Sequence, residues 1–127
     1  MSRYIGLGIA LLAGAAIGAA TVGGLQAQTK PKAYTVTEQE VLDPAAVAAY
    51  VPPVQAAVKA AGAHLLNTTG KVVGIMGAAP PKRVIINEWD SLEQAQAFYN
   101  SKAFKDLAPQ RDKAMKVNRV YAVETGK

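Results

Sequence analysis

The chain has 127 residues, 50% of them hydrophobic, no cysteine and a formal net charge of +5. This length bounds it to one domain, and the lack of Cys excludes disulfides, thiolate metal sites and a lipidated Cys. The basic residues are scattered, with no run and no interleaved aromatics, which argues for a solvated surface and against nucleic-acid binding.

The N-terminus reads MSRYIGLGIALLAGAAIGAATVGGLQAQ. Arg3 is a short basic region, Ile5 to about Val22 is apolar and small, and Leu25-Gln26-Ala27 offers a small residue before a cut. Residues 1–27 are therefore expected to be a secretory signal peptide, delivering the chain to the periplasm or the exterior. The alternative is an inner-membrane anchor over residues 5–25, just long enough to span a bilayer. Its many Gly and Ala contribute little transfer energy compared with Leu or Ile. The polar 28–32 reads as a tether, and the domain is expected over 33–127. Without the leader the balance is 13 basic against 9 acidic residues, about +4.

AYTVTEQEV (Ala33 to Val41) is rich in Val, Thr and Tyr and reads as a strand. Tyr34, Val36, Glu38 and Glu40 share one face, and Ala33, Thr35, Thr37, Gln39 and Val41 the other. Asp43-Pro44 starts a helix, Asp as N-cap and Pro at the first helical position. Val47, Tyr50, Val51, Val54, Val58 and Ala61 follow at helical spacing. Pro52-Pro53 predicts a kink near Val51, with the main segment running from Pro53 to Ala61. Gly62 fits the left-handed C-terminal position.

HLLN and VVGIMG read as two short strands around TTGK. RVIINEW (Arg83 to Trp89) is β-branched and apolar, and so predicts a central strand buried on both sides. Ser91 with Gln94, and Asp90 with Glu93, have capping-box spacing. Leu92, Ala95 and Tyr99 then form one stripe of a helix, with Phe98 beside it. Ser101 caps a second helical piece carrying Phe104 and Leu107, Pro109 breaks or restarts it, and Val117–Thr125 is the last strand. The order is β-α-β-β-α-β. This is an α+β, ferredoxin-like arrangement of four antiparallel strands with helices on one face. The uncovered face keeps apolar side chains, which a second copy would bury sheet against sheet.

Two stretches, AYTVTEQEVLDPAAVAAYVPPV and GAAPPKRVIINEWDSLEQAQAFYNSKAFKDLAPQRDKA, resemble the domain-of-unknown-function 1330 family. Asp43, Tyr50, Gly77, Pro81 and Arg83 carry the resemblance, followed by Glu88, Ser91, Ala95, Tyr99, Ser101, Phe104, Leu107 and Arg111. The resemblance implies the dimeric α+β barrel superfamily, which includes small monooxygenases and isomerases, and hence a homodimer. It implies no reaction. Two features depart from the family pattern. NTTGK stands where an Arg-Gly-Gly turn is common, and Met76 precedes Gly77 where a Glu is common.

Glu88 ends an apolar strand and is a candidate general base or ligand anchor; otherwise it pairs with Arg83 or Arg111, or accepts N–H bonds at the next helix start. His64, the sole His, is a candidate proton shuttle or a surface residue. Arg83 and Arg111 are candidate anion anchors or structural tethers. Tyr34, Trp89 and Tyr99 either line a ligand pocket or fill the core. One His, no Cys and no acidic cluster predict no metal site, and no cofactor is implied. Three readings remain open. One is an exported homodimer holding a small apolar or anionic molecule between the sheets. A second is a cofactor-free enzyme of the superfamily, working by proton transfer or oxygen chemistry. The third is a structural or partner-binding dimer. The membrane is a partner only through an uncleaved leader.

Overall fold

The protein's computed structural model describes residues 30–126. The leader, its cut and the alternative anchor lie outside the described residues. Among those described, no helix is long and apolar enough to cross a membrane.

The elements run β1 (Ala33–Val41), α1 (Pro44–Ala60), β2 (His64–Leu65), β3 (Arg83–Trp89), α2 (Leu92–Tyr99), α3 (Lys102–Lys105), α4 (Ala108–Ala114) and β4 (Met115–Glu124). The strands form one antiparallel sheet in the order β2-β3-β1-β4. This is the ferredoxin-like topology, α+β, with the helices on one face.

Register fixes which side chains share a face. Ala33, Thr35, Thr37 and Gln39 stand opposite Trp89, Asn87, Ile85 and Arg83, and all eight look toward the helices. Tyr34, Val36 and Glu38 stand opposite Glu88, Ile86 and Val84 on the open face. In the pairing of β1 with β4 the register shifts between Glu38 and Gln39 of β1, leaving Asn118 of β4 without a strand partner. This β-bulge puts Met115 and Val117 on the same face as Val120, which strict alternation forbids.

Local signals set the helix ends. Asp43 Oδ1 accepts from the Ala45 and Ala46 N–H groups at 3.0 and 3.2 Å. Ser91 Oγ accepts from Gln94 N at 3.2 Å, while Gln94 Oε1 accepts from Asp90 N at 2.9 Å. Ser101 Oγ accepts from Phe104 N at 3.2 Å. Gly62, at φ 93°, closes α1. Its N–H donates to Lys59 O, and the Ala63 N–H to Val58 O, the paired bonds of a Schellman cap.

Two expectations need correction. The main helical segment does not begin at Pro53, since α1 is one run from Pro44 through Pro52 and Pro53. Their missing N–H groups would have bonded the carbonyls of Ala48 and Ala49, and both of those residues are exposed, so water can take the place of the lost donors. The predicted strand VVGIM does not form. Leu66 N still donates to Ile86 O, but the Thr68 side chain then takes over the edge of β3. Its hydroxyl donates to Val84 O at 2.9 Å and accepts from Ile86 N at 3.3 Å. The ladder stops there and the chain leaves the sheet. Val73, Ile75 and Met76 are left 66%, 96% and 93% exposed. β3 is central, as expected, but Val84 and Ile86 on its open face are only half-buried.

Two apolar clusters join helices to sheet. One centres on Trp89, Phe98, Val58 and Ala95, the other on Val47, Tyr50, Ala114 and Met115. Trp89 is fully buried, its Nε1 donates to Thr35 Oγ1 at 2.9 Å, and its ring lies 5.4 Å from that of Phe98. A methyl group at Gly62 would sit 2.3 Å from Gln94 Nε2, which donates to Ala61 O, on a backbone that L-residues rarely adopt. Gly62→Ala is therefore expected to cost about 1–3 kcal/mol in urea unfolding. A change within about 0.5 kcal/mol, the range of ordinary surface substitutions, would mean the turn tolerates a side chain.

Candidate functional site

The helix-facing side of the sheet mixes polar side chains with apolar ones, Val117 and Val120 of β4 among them. Between the Trp89 cluster and the Tyr50 cluster, its floor is Thr37, Gln39, Arg83, Ile85 and Asn87. Above that floor, Tyr50, Val54 and Val58 of α1, Phe98 and Tyr99 of α2, and Phe104 of α3 complete a cavity of about 890 Å³. That volume suits a small organic molecule.

Two residues that line this cavity each carry a buried polar atom with unmet demands. Asn87 is 5% exposed, and its Oδ1 has no hydrogen-bond partner. Arg83 Nε is likewise buried and unpaired. Among the described residues these are the only buried side-chain polar atoms without a partner. A buried polar group left unmet costs about 1–3 kcal/mol, so each of these two atoms calls for a partner from outside the described residues, water included.

The lining is also cationic. Arg83, Arg111, Lys59 and Lys116 border it, against the single carboxylate of Asp112. Arg111 Nε donates to Asp112 Oδ1 at 3.3 Å, and its guanidinium lies 5.1 Å from the Phe104 ring centroid. The Tyr50 phenol is pushed up by burial, with Arg111 opposing, and so stays protonated. Among the described residues, no cluster of three or more His, Asp or Glu could hold a metal.

The sequence-predicted residues separate by face. Arg83, Tyr99 and Arg111 border the cavity. Trp89 is core, one strand position beyond it pairwise with Ala33. Tyr34, Glu88 and His64 lie on the opposite, open face of the sheet. Glu88 pairs with neither Arg83 nor Arg111, because strand alternation turns it away from both. Lys32 Nζ donates to Glu88 Oε1 at 2.5 Å, and the Tyr34 hydroxyl donates to Oε2 at 2.9 Å. His64 Nε2 is 4.0 Å from Asp90 Oδ1, and both are exposed. Glu38, on the same face, is held by the Arg119 guanidinium. Sequence reasoning did not single out Asn87 or Gln39. The available signal was a polar residue interrupting a β-branched run, in phase with Arg83 and Ile85.

The family model for a domain of unknown function, DUF1330, matches residues 32–125. A solved structure of a protein of unknown function from Rhodopseudomonas palustris superposes with a TM-score of 0.60 at 13% identity, covering 84% of this chain and 92% of that one. A methylated form of the same protein gives 0.59 at 14%, covering 84% and 90%. A protein from Chloroflexus aurantiacus, provisionally named an antibiotic biosynthesis monooxygenase, gives 0.45 at 17%, covering 75% and 94%. No curated protein matches the chain.

Hydrogen bonds from Lys32, then from Tyr34, hold the Glu88 carboxyl below the ordinary carboxylate range. The same contacts raise the Lys32 ammonium and the Tyr34 phenol. A carboxyl more acidic folded than unfolded contributes stability above its unfolded pKa, about 4.3, and loses it as pH falls through the lower folded value. Thermal melts are expected to show the wild type losing stability as pH drops from about 5 toward 3, with a shallower slope for Glu88→Gln. Equal slopes would mean that the contacts are not made in solution.

Proposed function

The chain belongs to the DUF1330 family, and on that premise we propose that it is an exported homodimer binding a small organic molecule between the sheet and the helices of each subunit. The sequence placed this ligand between two sheets. The observation that moves it is Asn87, a buried amide without a partner that faces a cavity on the helix side of one protomer. Native cores leave few such groups, and a bound molecule is one way to satisfy them.

Export rests on the signal-peptide layout of residues 1–27. Dimerisation rests on the open face, where Tyr121 and Val123 are 42% and 51% exposed beside half-buried Val36 and Ile86. Ile75 and Met76, put out by the chain where it leaves the sheet, add nearly bare apolar surface. Exposed apolar side chains of this kind on a small domain favour an interface with another molecule, and a second copy offers the same surface.

The binder reading is favoured over the enzyme reading by where the bases stand. Glu88 and His64 face away from the cavity, and Glu88 is already engaged by two donors. A general base has to reach the proton that it takes. The filled-interior reading is disfavoured by the cavity itself.

Native mass spectrometry of the protein purified from its own host tests subunit number and ligand together. The expected spectrum is a dimer carrying a small molecule that is shed on activation, and a monomer for Ile75→Asp with Met76→Asp. A ligand-free monomer from the wild type would contradict the proposal.

A further inference from the structure

Resting on the cavity as a binding site, the chemistry of its lining can be read further. Arg83 and Asn87 lie four residues apart on one strand and face the same side, so their Cα atoms are roughly 13 Å apart. Between them the floor is Ile85, opposite Thr37. Val54, Val58 and Phe98 add apolar side chains to the same lining. Polar demand therefore sits at the two ends of the floor, with apolar surface between.

The two ends differ in kind. At the Arg83 end, Gln39 stands directly opposite, and β4 begins where Met115 faces Val41. Arg111 precedes Met115 by about one helical turn and borders the same cavity. Arg111 already engages Asp112, whereas Arg83 has no carboxylate partner among the described residues. A guanidinium with a buried, unpaired N–H can be satisfied by an anion, which its fork fits. Walls of low polarity with four cations against one acid strengthen its pull. At the other end Asn87 offers a buried acceptor, which needs an O–H or N–H donor.

We propose that the cavity takes an extended amphipathic organic acid, its carboxylate on Arg83, its apolar body over Ile85, and a hydroxyl or N–H at its far end donating to Asn87. No bond is made or broken in this step. Arg111 contributes charge from its side, and the protonated Tyr50 hydroxyl faces the same space.

Isothermal titration of the purified protein with decanoate, decan-1-ol and the omega-hydroxy form of decanoate tests this. The wild type is expected to bind decanoate at least tenfold more tightly than the alcohol, and the hydroxy acid several-fold more tightly again. Arg83→Gln is expected to erase the preference for acid over alcohol, with alcohol affinity held. Arg83→Lys, which keeps the charge and loses the fork, is expected to fall between and serves if the Gln variant does not fold. Asn87→Leu is expected to erase only the advantage of the hydroxyl. Equal binding of acid and alcohol by the wild type, or an undiminished preference in Arg83→Gln, would overturn the ligand class and leave the cavity reading standing. Failure of all three molecules to bind would overturn both.

Discussion

The helices are held off the middle of the sheet by bulk at its two ends. At one end the wholly buried Trp89 indole, anchored to Thr35 and packed on Phe98, fills the gap between layers. At the other, Tyr50 packs with Met115 and Ala114. Between these props the strands present Thr37, Gln39 and Asn87, short or polar side chains, beside Ile85, Val117 and Val120. Protein interiors normally pack to crystal density, so the helix layer would settle onto this floor if the props allowed it. The cavity and its unmet polar atoms follow from that mismatch.

Each face of the sheet handles polar groups differently. On the open face, carboxylates come with their partners: Glu88 with Lys32 and Tyr34, Glu38 with Arg119. These groups are satisfied within the chain and leave an apolar surface between them for another molecule to cover. On the helix face, Arg83 Nε and Asn87 Oδ1 find no partner among the described residues. The first arrangement suits an interface, where satisfied charges limit desolvation cost, and the second suits a ligand.

Much of the fold was legible because its signals are local. Asp43-Pro44, Gly62, Ser91 with Gln94, and Ser101 act within a turn of themselves, and each does in the structure what its residue type requires. The period-two pattern of β1 gave both faces correctly. Three features were not legible because they depend on distant partners. The β-bulge that turns Met115 and Val117 toward the cavity arises in the pairing of β1 with β4. VVGIM has strand composition, yet the Thr68 side chain occupies the edge it would have joined. Glu88 attracted interest as an acid ending an apolar strand, while Asn87 one residue earlier faces the cavity. Parity along the strand separates them, but which parity meets the helices is set by the register against β1.

The central claim is that the space between sheet and helices is a ligand site in its own right. A crystal structure of the protein purified from its host addresses it most directly. The account predicts electron density for an organic molecule lying along β3, an acidic end within hydrogen-bond distance of Arg83 and a donor on Asn87 Oδ1. A closed interior, with Phe98, Tyr50 and neighbouring side chains packed against Thr37 and Ile85 and both polar atoms bonded within the protein, would contradict it.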